Sequence, residues 1–116
     1  MFERKLKAYL EDILSSGYAI LDFVKNINFE EFCKDRKTYS AVLREFEVIG
    51  EATKKIPKEI LSDYPEIEWQ DIIDFRNLLI HEYFGVDCHI VWNIIKNDLE
   101  NLLKVIEEML LKYKDI

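Results

Sequence analysis

Residues 35–57 read DRKTYSAVLREFEVIGEATKKIP. Within this stretch Tyr39, Val42, Leu43, Phe46, Ile49, Ala52 and Ile56 recur at intervals of three and four, so a helix built on it turns one apolar side toward a core. Lys54 and Lys55 suit the negative end of that helix, and Pro57 stops it, because the residue before a proline is pushed out of the helical region.

The same period extends in both directions. Upstream, Phe2, Leu6, Leu10, Ile13, Leu14, Leu21 and Val24 form a second stripe, in which Gly17 costs about 1 kcal/mol relative to alanine and marks a bend or a close contact. Between the two stripes, NFEEFCKD reads as a short helix with Asn28 as its cap and Glu30 and Glu31 in its first turn. Downstream, KEILSDYP is a connector with about one helical turn, closed by Pro65. The pattern resumes at Trp69 and runs through Ile72, Ile73, Phe75, Leu78, Leu79 and Ile80 to Gly85, which is expected to form a left-handed C-terminal cap. Asp87 is placed to cap a last helix carrying Val91, Ile94, Ile95, Leu99, Leu102, Leu103, Ile106, Met109 and Leu110. Trp69 and Trp92 fall within these stripes and are expected to anchor the core.

Four long helices with short connections predict an all-α, antiparallel bundle. With 116 residues, three glycines and two prolines, a single domain over residues 1–116 is expected, and a turn-rich β architecture is not. No apolar run is long enough to cross a membrane, and the charges in MFERKLKAYLEDILSSGYAI break any leader-like core. Cys33 and Cys88 have no C-x-x-C spacing, so neither a disulfide scaffold nor a zinc module is expected, and the default location is a reducing cytoplasm. A net charge of −7 speaks against coating nucleic acid non-specifically, but leaves room for one basic pocket.

Chemistry concentrates in RNLLIHEY, residues 76–83. Arg76 carries a planar cationic fork suited to phosphate oxygens, and His81 exchanges a proton near neutral pH. Together they suffice for metal-independent cleavage of a phosphodiester by its own 2′-hydroxyl: the histidine moves protons and the arginine stabilises the charge that develops on phosphorus. On an ideal helix, residues five apart diverge by about 140°, whereas Arg76 and Tyr83 fall within about 20° of each other. Either the helix loosens before His81, or a second copy of the chain completes the site. The competing reading makes all three structural, with Arg76 paired to Asp74 or Glu82, His81 at a helix end and Tyr83 in the core. A metal site from His81, Glu82, Cys88 and His89 lacks helical ligand spacing. Lys54, Lys55 and Lys58 could meet a phosphate backbone or simply solvate a helix end.

The segment RNLLIHEYFGVD resembles the R-x-x-x-x-H-x-Y signature of the HepT toxins, a branch of the HEPN superfamily. VIGEATKKIP, WQDIIDFRN and VWNIIKNDLENLL resemble that family's flanking segments in the same order, so the likeness covers most of residues 5–110. It implies a four- to five-helix HEPN bundle that homodimerises and cleaves RNA as a toxin, without a metal or other cofactor. The implied partner is an MNT-type nucleotidyltransferase antitoxin. Carried onto this chain, Arg76 and His81 are the catalytic pair, Asn77 an auxiliary hydrogen-bonding residue, and Tyr83 the position that the antitoxin modifies with AMP. The alternatives are a non-catalytic HEPN module that binds nucleotide or a nucleotidyltransferase, and a helical interaction domain with no site.

Overall fold

The computed structural model describes residues 5–82 and 85–113. Every regular element among them is helical: α1 (Leu6–Phe23), α2 (Phe29–Lys34), α3 (Arg36–Lys55), α4 (Lys58–Leu61), α5 (Trp69–His81), α6 (Cys88–Asn97) and α7 (Leu99–Lys112). The expected bundle of long helices is therefore present, with α2 and α4 as its short pieces and α6 and α7 as one run broken at Asp98.

Local chemistry explains the helix ends. Asn28 and Glu31 form a reciprocal capping box on α2, each side chain accepting from the other residue's backbone N–H. Asp35 caps α3 by accepting from the Thr38 amide and hydroxyl, which hold its carboxyl below the usual aspartate range. Asp87 caps α6 through the His89 amide, as its position predicted. Two expectations need correction. Gly85 does not adopt a left-handed conformation: no described glycine has positive φ, and α5 ends at Glu82, whose N–H bonds to the Leu78 carbonyl. The last helix is not continuous either. Asn97 and Asp98, poor helix formers whose side chains compete for backbone groups, bend it, although the Asp98 N–H to Ile94 and Leu102 N–H to Asp98 bonds carry helical pairing across the bend.

Packing is organised around α3. It lies against α1, α2 and α5, while α7 packs on α1 and α6 packs on both α2 and α7, closing a ring of helices. The predicted stripes line its interior: Leu10 and Ile13 from α1, Val42, Leu43 and Ile49 from α3, and Leu99, Ile106 and Met109 from α7 are buried. Each such side chain contributes about 1.5–3 kcal/mol by leaving water. Gly17 proves to be a close contact: a methyl built there would overlap Leu103 Cδ2 and stand 2.9 Å from its Cδ1, so the glycine sets how near α1 and α7 can approach. Trp69 is buried and its indole N–H donates to the Tyr64 carbonyl at 3.0 Å; Trp92 packs on Phe32 with ring centroids 5.2 Å apart.

Cys33 and Cys88 form a disulfide between α2 and the start of α6, with Cα atoms 5.7 Å apart. This corrects the expectation that the two cysteines form no disulfide: the pairing follows from the packing of α2 against α6, which sequence spacing does not reveal. The bond closes a loop with a sequence separation of 55, for which loop entropy predicts about 4 kcal/mol of stabilisation. The double variant Cys33→Ser/Cys88→Ser is expected to lose about 2–4 kcal/mol of unfolding free energy, measured by denaturant titration. Wild-type protein held in reductant should lose the same amount. An unchanged midpoint in both experiments would assign the bridge no stabilising role.

Candidate RNA-processing site

Arg76 lies in the middle of α5, on the side that meets α3. At that crossing α3 carries Gly50, where an added methyl would overlap Arg76 Cβ, stand 2.7 Å from its Cγ and crowd the Ile72 carbonyl at 3.3 Å. The absent side chain lets the arginine stem lie directly across α3. One residue on, Glu51 accepts a hydrogen bond from Arg76 Nη2 in an ion pair, and Asn77 Oδ1 accepts from Nη1 at 3.1 Å. The side chains of Arg76 and Glu51 are 21% and 49% exposed. A pair this accessible contributes at most about 1 kcal/mol to the fold.

Arg76 and Ile80 from α5 line a groove of about 390 Å³ together with Tyr9 and Asp12 from α1 and Arg44, Glu47, Glu51 and Lys55 from α3. Arg44 hydrogen-bonds to Glu47 at 3.3 Å. Lys55 therefore shares the groove with Arg76, while Lys54 and Lys58 do not line it. The structural reading that paired Arg76 with Asp74 or Glu82 is replaced: Asp74 accepts from Gln70 instead, and the partner of Arg76 comes from α3. Sequence reasoning missed Glu51 because it stands 25 positions away. The neighbouring Gly50, a glycine inside a strong helical stripe, was the available signal of a close approach.

His81 is exposed in the last turn of α5, which stays helical through it. The helix thus does not loosen between Arg76 and His81, and the two residues leave the axis in directions about 140° apart. On the His81 side lie Asn77 and Leu78, four and three positions back and both exposed. Leu78, on that side, and Ile80, on the groove side, leave 38% and 47% of their surface open. Tyr83 lies outside the described residues. The chain just beyond it is anchored: Gly85 N–H bonds to the Glu82 carbonyl, and the Tyr39 hydroxyl donates to the Val86 carbonyl at 2.6 Å.

The other candidates dissolve. Cys88 is spent in the disulfide, and the His89 ring packs against Phe29 with centroids 4.4 Å apart. Among the described residues, no three His, Cys, Asp or Glu side chains cluster as metal ligands, and no helix is long and apolar enough to cross a membrane.

A family model described as ribonuclease HepT-like matches residues 10–109. A protein of Methanocaldococcus jannaschii, named as an inferred RNase, is 42% identical over 116 residues, covering 100% of this chain and 93% of the relative. A second inferred RNase of that organism is 37% identical over 107 residues, covering 92% and 98% of the two chains. A protein of Thermococcus cleftensis, named as a probable ribonuclease HepT, is 42% identical over 107 residues, covering 92% and 97%. No solved structure matches the chain. With a family model spanning 10–109 and relatives of this likeness over nearly their whole length, the chain belongs to the ribonuclease HepT-like family.

Proposed function

We propose that this chain is the toxin of a HepT/MNT-type pair, acting as a single HEPN unit that cleaves RNA without a metal from a site shared between two copies. The observation that carries this reading is the placement of Arg76: a partly buried cation lining a groove on a helix whose exposed edge carries His81. In this role Arg76 binds the scissile phosphate and offsets the negative charge that builds on it, and His81 moves a proton to or from the attacking or leaving oxygen. Asn77, accepting from Arg76 Nη1, helps to orient the fork.

The two-copy arrangement is supported by helix geometry and by surface. One α5 cannot turn both groups to the same side, so one copy supplies Arg76 and the other His81 in each half of a two-fold cleft. Among the described residues α5 packs extensively on no helix but α3, which leaves the exposed Leu78, on the His81 side, for a second copy. Family membership supports the rest of the reading. The nucleotidyltransferase partner would transfer AMP from ATP to the Tyr83 hydroxyl, releasing pyrophosphate. The added phosphate would then compete with RNA for Arg76, seven positions back in the chain.

Purified protein is expected to cut single-stranded RNA in the presence of a chelator, with Arg76→Ala and His81→Ala each reducing the rate by at least about a hundredfold. Mixing the two inactive variants should restore a fraction of wild-type activity, because mixed dimers contain one intact Arg76/His81 pair. Wild-type rates in the single variants would remove the catalytic assignment, and failure of the mixture to recover would place both residues of a site in one chain.

Coexpression with the cognate nucleotidyltransferase is expected to add mass in whole multiples of AMP and abolish cleavage. Both effects should vanish in Tyr83→Phe. Modification that persists in that variant would move the acceptor to another residue.

A further inference from the structure

We propose that Glu51 is a positioning residue for Arg76, holding the guanidinium in the orientation in which it meets RNA phosphate. The inference rests on the reading of Arg76 as the phosphate-binding cation and extends the site to a residue on a different helix. A guanidinium carries five N–H donors in one plane, and here two are engaged by acceptors on two different nitrogens: Glu51 takes Nη2 and Asn77 takes Nη1. Two such bonds fix both the reach of the side chain and the tilt of its plane, and they leave donors of the fork for a phosphate oxygen.

The backbone beneath is shaped for the same purpose. Gly50 admits the Arg76 stem against α3, and the next residue supplies the carboxylate, so approach and orientation are set by adjacent positions. The other charged groups lining the groove are Asp12, Arg44, Glu47 and Lys55. Glu47 is engaged by Arg44, which leaves Glu51 as the α3 acid that grips Arg76. An exposed ion pair adds little to folding, so its effect on reaction rate is separable from its effect on stability.

The test compares Glu51→Ala and Glu51→Gln with wild type in RNA cleavage, thermal midpoint and nitrogen-15 NMR of the Arg76 side chain without RNA. Glu51→Ala is expected to lower kcat/KM about tenfold or more with little change in midpoint, since small misplacement of a catalytic group is costly. Glu51→Gln should recover to within about threefold of wild type, because its amide oxygen can accept the same N–H. The Arg76 Nη2–H signal should exchange faster with water in Glu51→Ala than in wild type. Cleavage by Glu51→Ala at or above the wild-type rate overturns the proposal, the latter because the acid would then mask Arg76. Equal losses in the Ala and Gln variants also overturn it. If wild-type protein shows no Arg76-dependent cleavage, the ribonuclease reading fails on its own; the NMR comparison still decides whether Glu51 orders the side chain, and an unchanged signal in Glu51→Ala rejects it.

Discussion

The crossing of α5 over α3 at Gly50 governs the geometry of the site. Helices normally keep 8–10 Å between their axes because side chains interleave at the contact. Here one partner offers no side chain, and the stem of Arg76 occupies the vacated space against the α3 backbone. Among the described residues α5 packs extensively on no other helix, so its position and rotation are set largely at this crossing. Rotation in turn decides which residues face the groove shared with α1 and which face outward. A methyl group at position 50 would move α5 as a body, and the whole motif with it.

From that constraint follows the separation of the two catalytic candidates. Regular hydrogen bonding through the last turn of α5 keeps His81 a fixed angle from Arg76, and Glu82 closes the helix without a glycine. A rigid helix gives each residue a definite direction, but gives both residues one direction only when their spacing is three, four or seven. A spacing of five is therefore poorly suited to a site within one chain and well suited to one assembled across a two-fold axis, where the mirrored requirement is met by the second copy. The exposed Leu78 lies on the His81 side of the same helix, so the apolar surface that association would cover adjoins the histidine it would bring into the site.

How much of this was legible in the sequence depends on the range of the interaction. Stripes with period 3.6 predicted α1, α3, α5 and the last helical run, because burial of one helical side is written locally in residue spacing. Caps at Asn28 and Asp87 were readable for the same reason. Gly85 misled, since a glycine after a helix favours a left-handed turn without requiring one, and the chain here turns through Glu82 instead. The bend at Asp98 was hidden under an apolar stripe that continues across it. The contacts between distant segments had no local signature: Cys33 with Cys88, Tyr39 with Val86, and Glu51 with Arg76 depend on which helices become neighbours. Arg76, Asn77 and His81 could be found as a motif, but the acid that holds the arginine could only be found once α3 and α5 were packed.

Charge balance in the groove bears on how an acidic chain can process a polyanion. Non-specific affinity for nucleic acid grows with the number of phosphates neutralised, and so does its sensitivity to salt. Arg44, Lys55 and Arg76 share the groove with Asp12, Glu47 and Glu51, and Arg44 and Arg76 are each hydrogen-bonded to a carboxylate. Such a surface does not bind a phosphate backbone strongly along its length, and a net charge of −7 weakens long-range attraction further. What distinguishes Arg76 is a guanidinium held at a defined tilt by two acceptors, with donors still unused. On the proposed reading, recognition in each chain then rests on geometry at a single phosphate, and removing or occupying that one cation should be enough to silence the site.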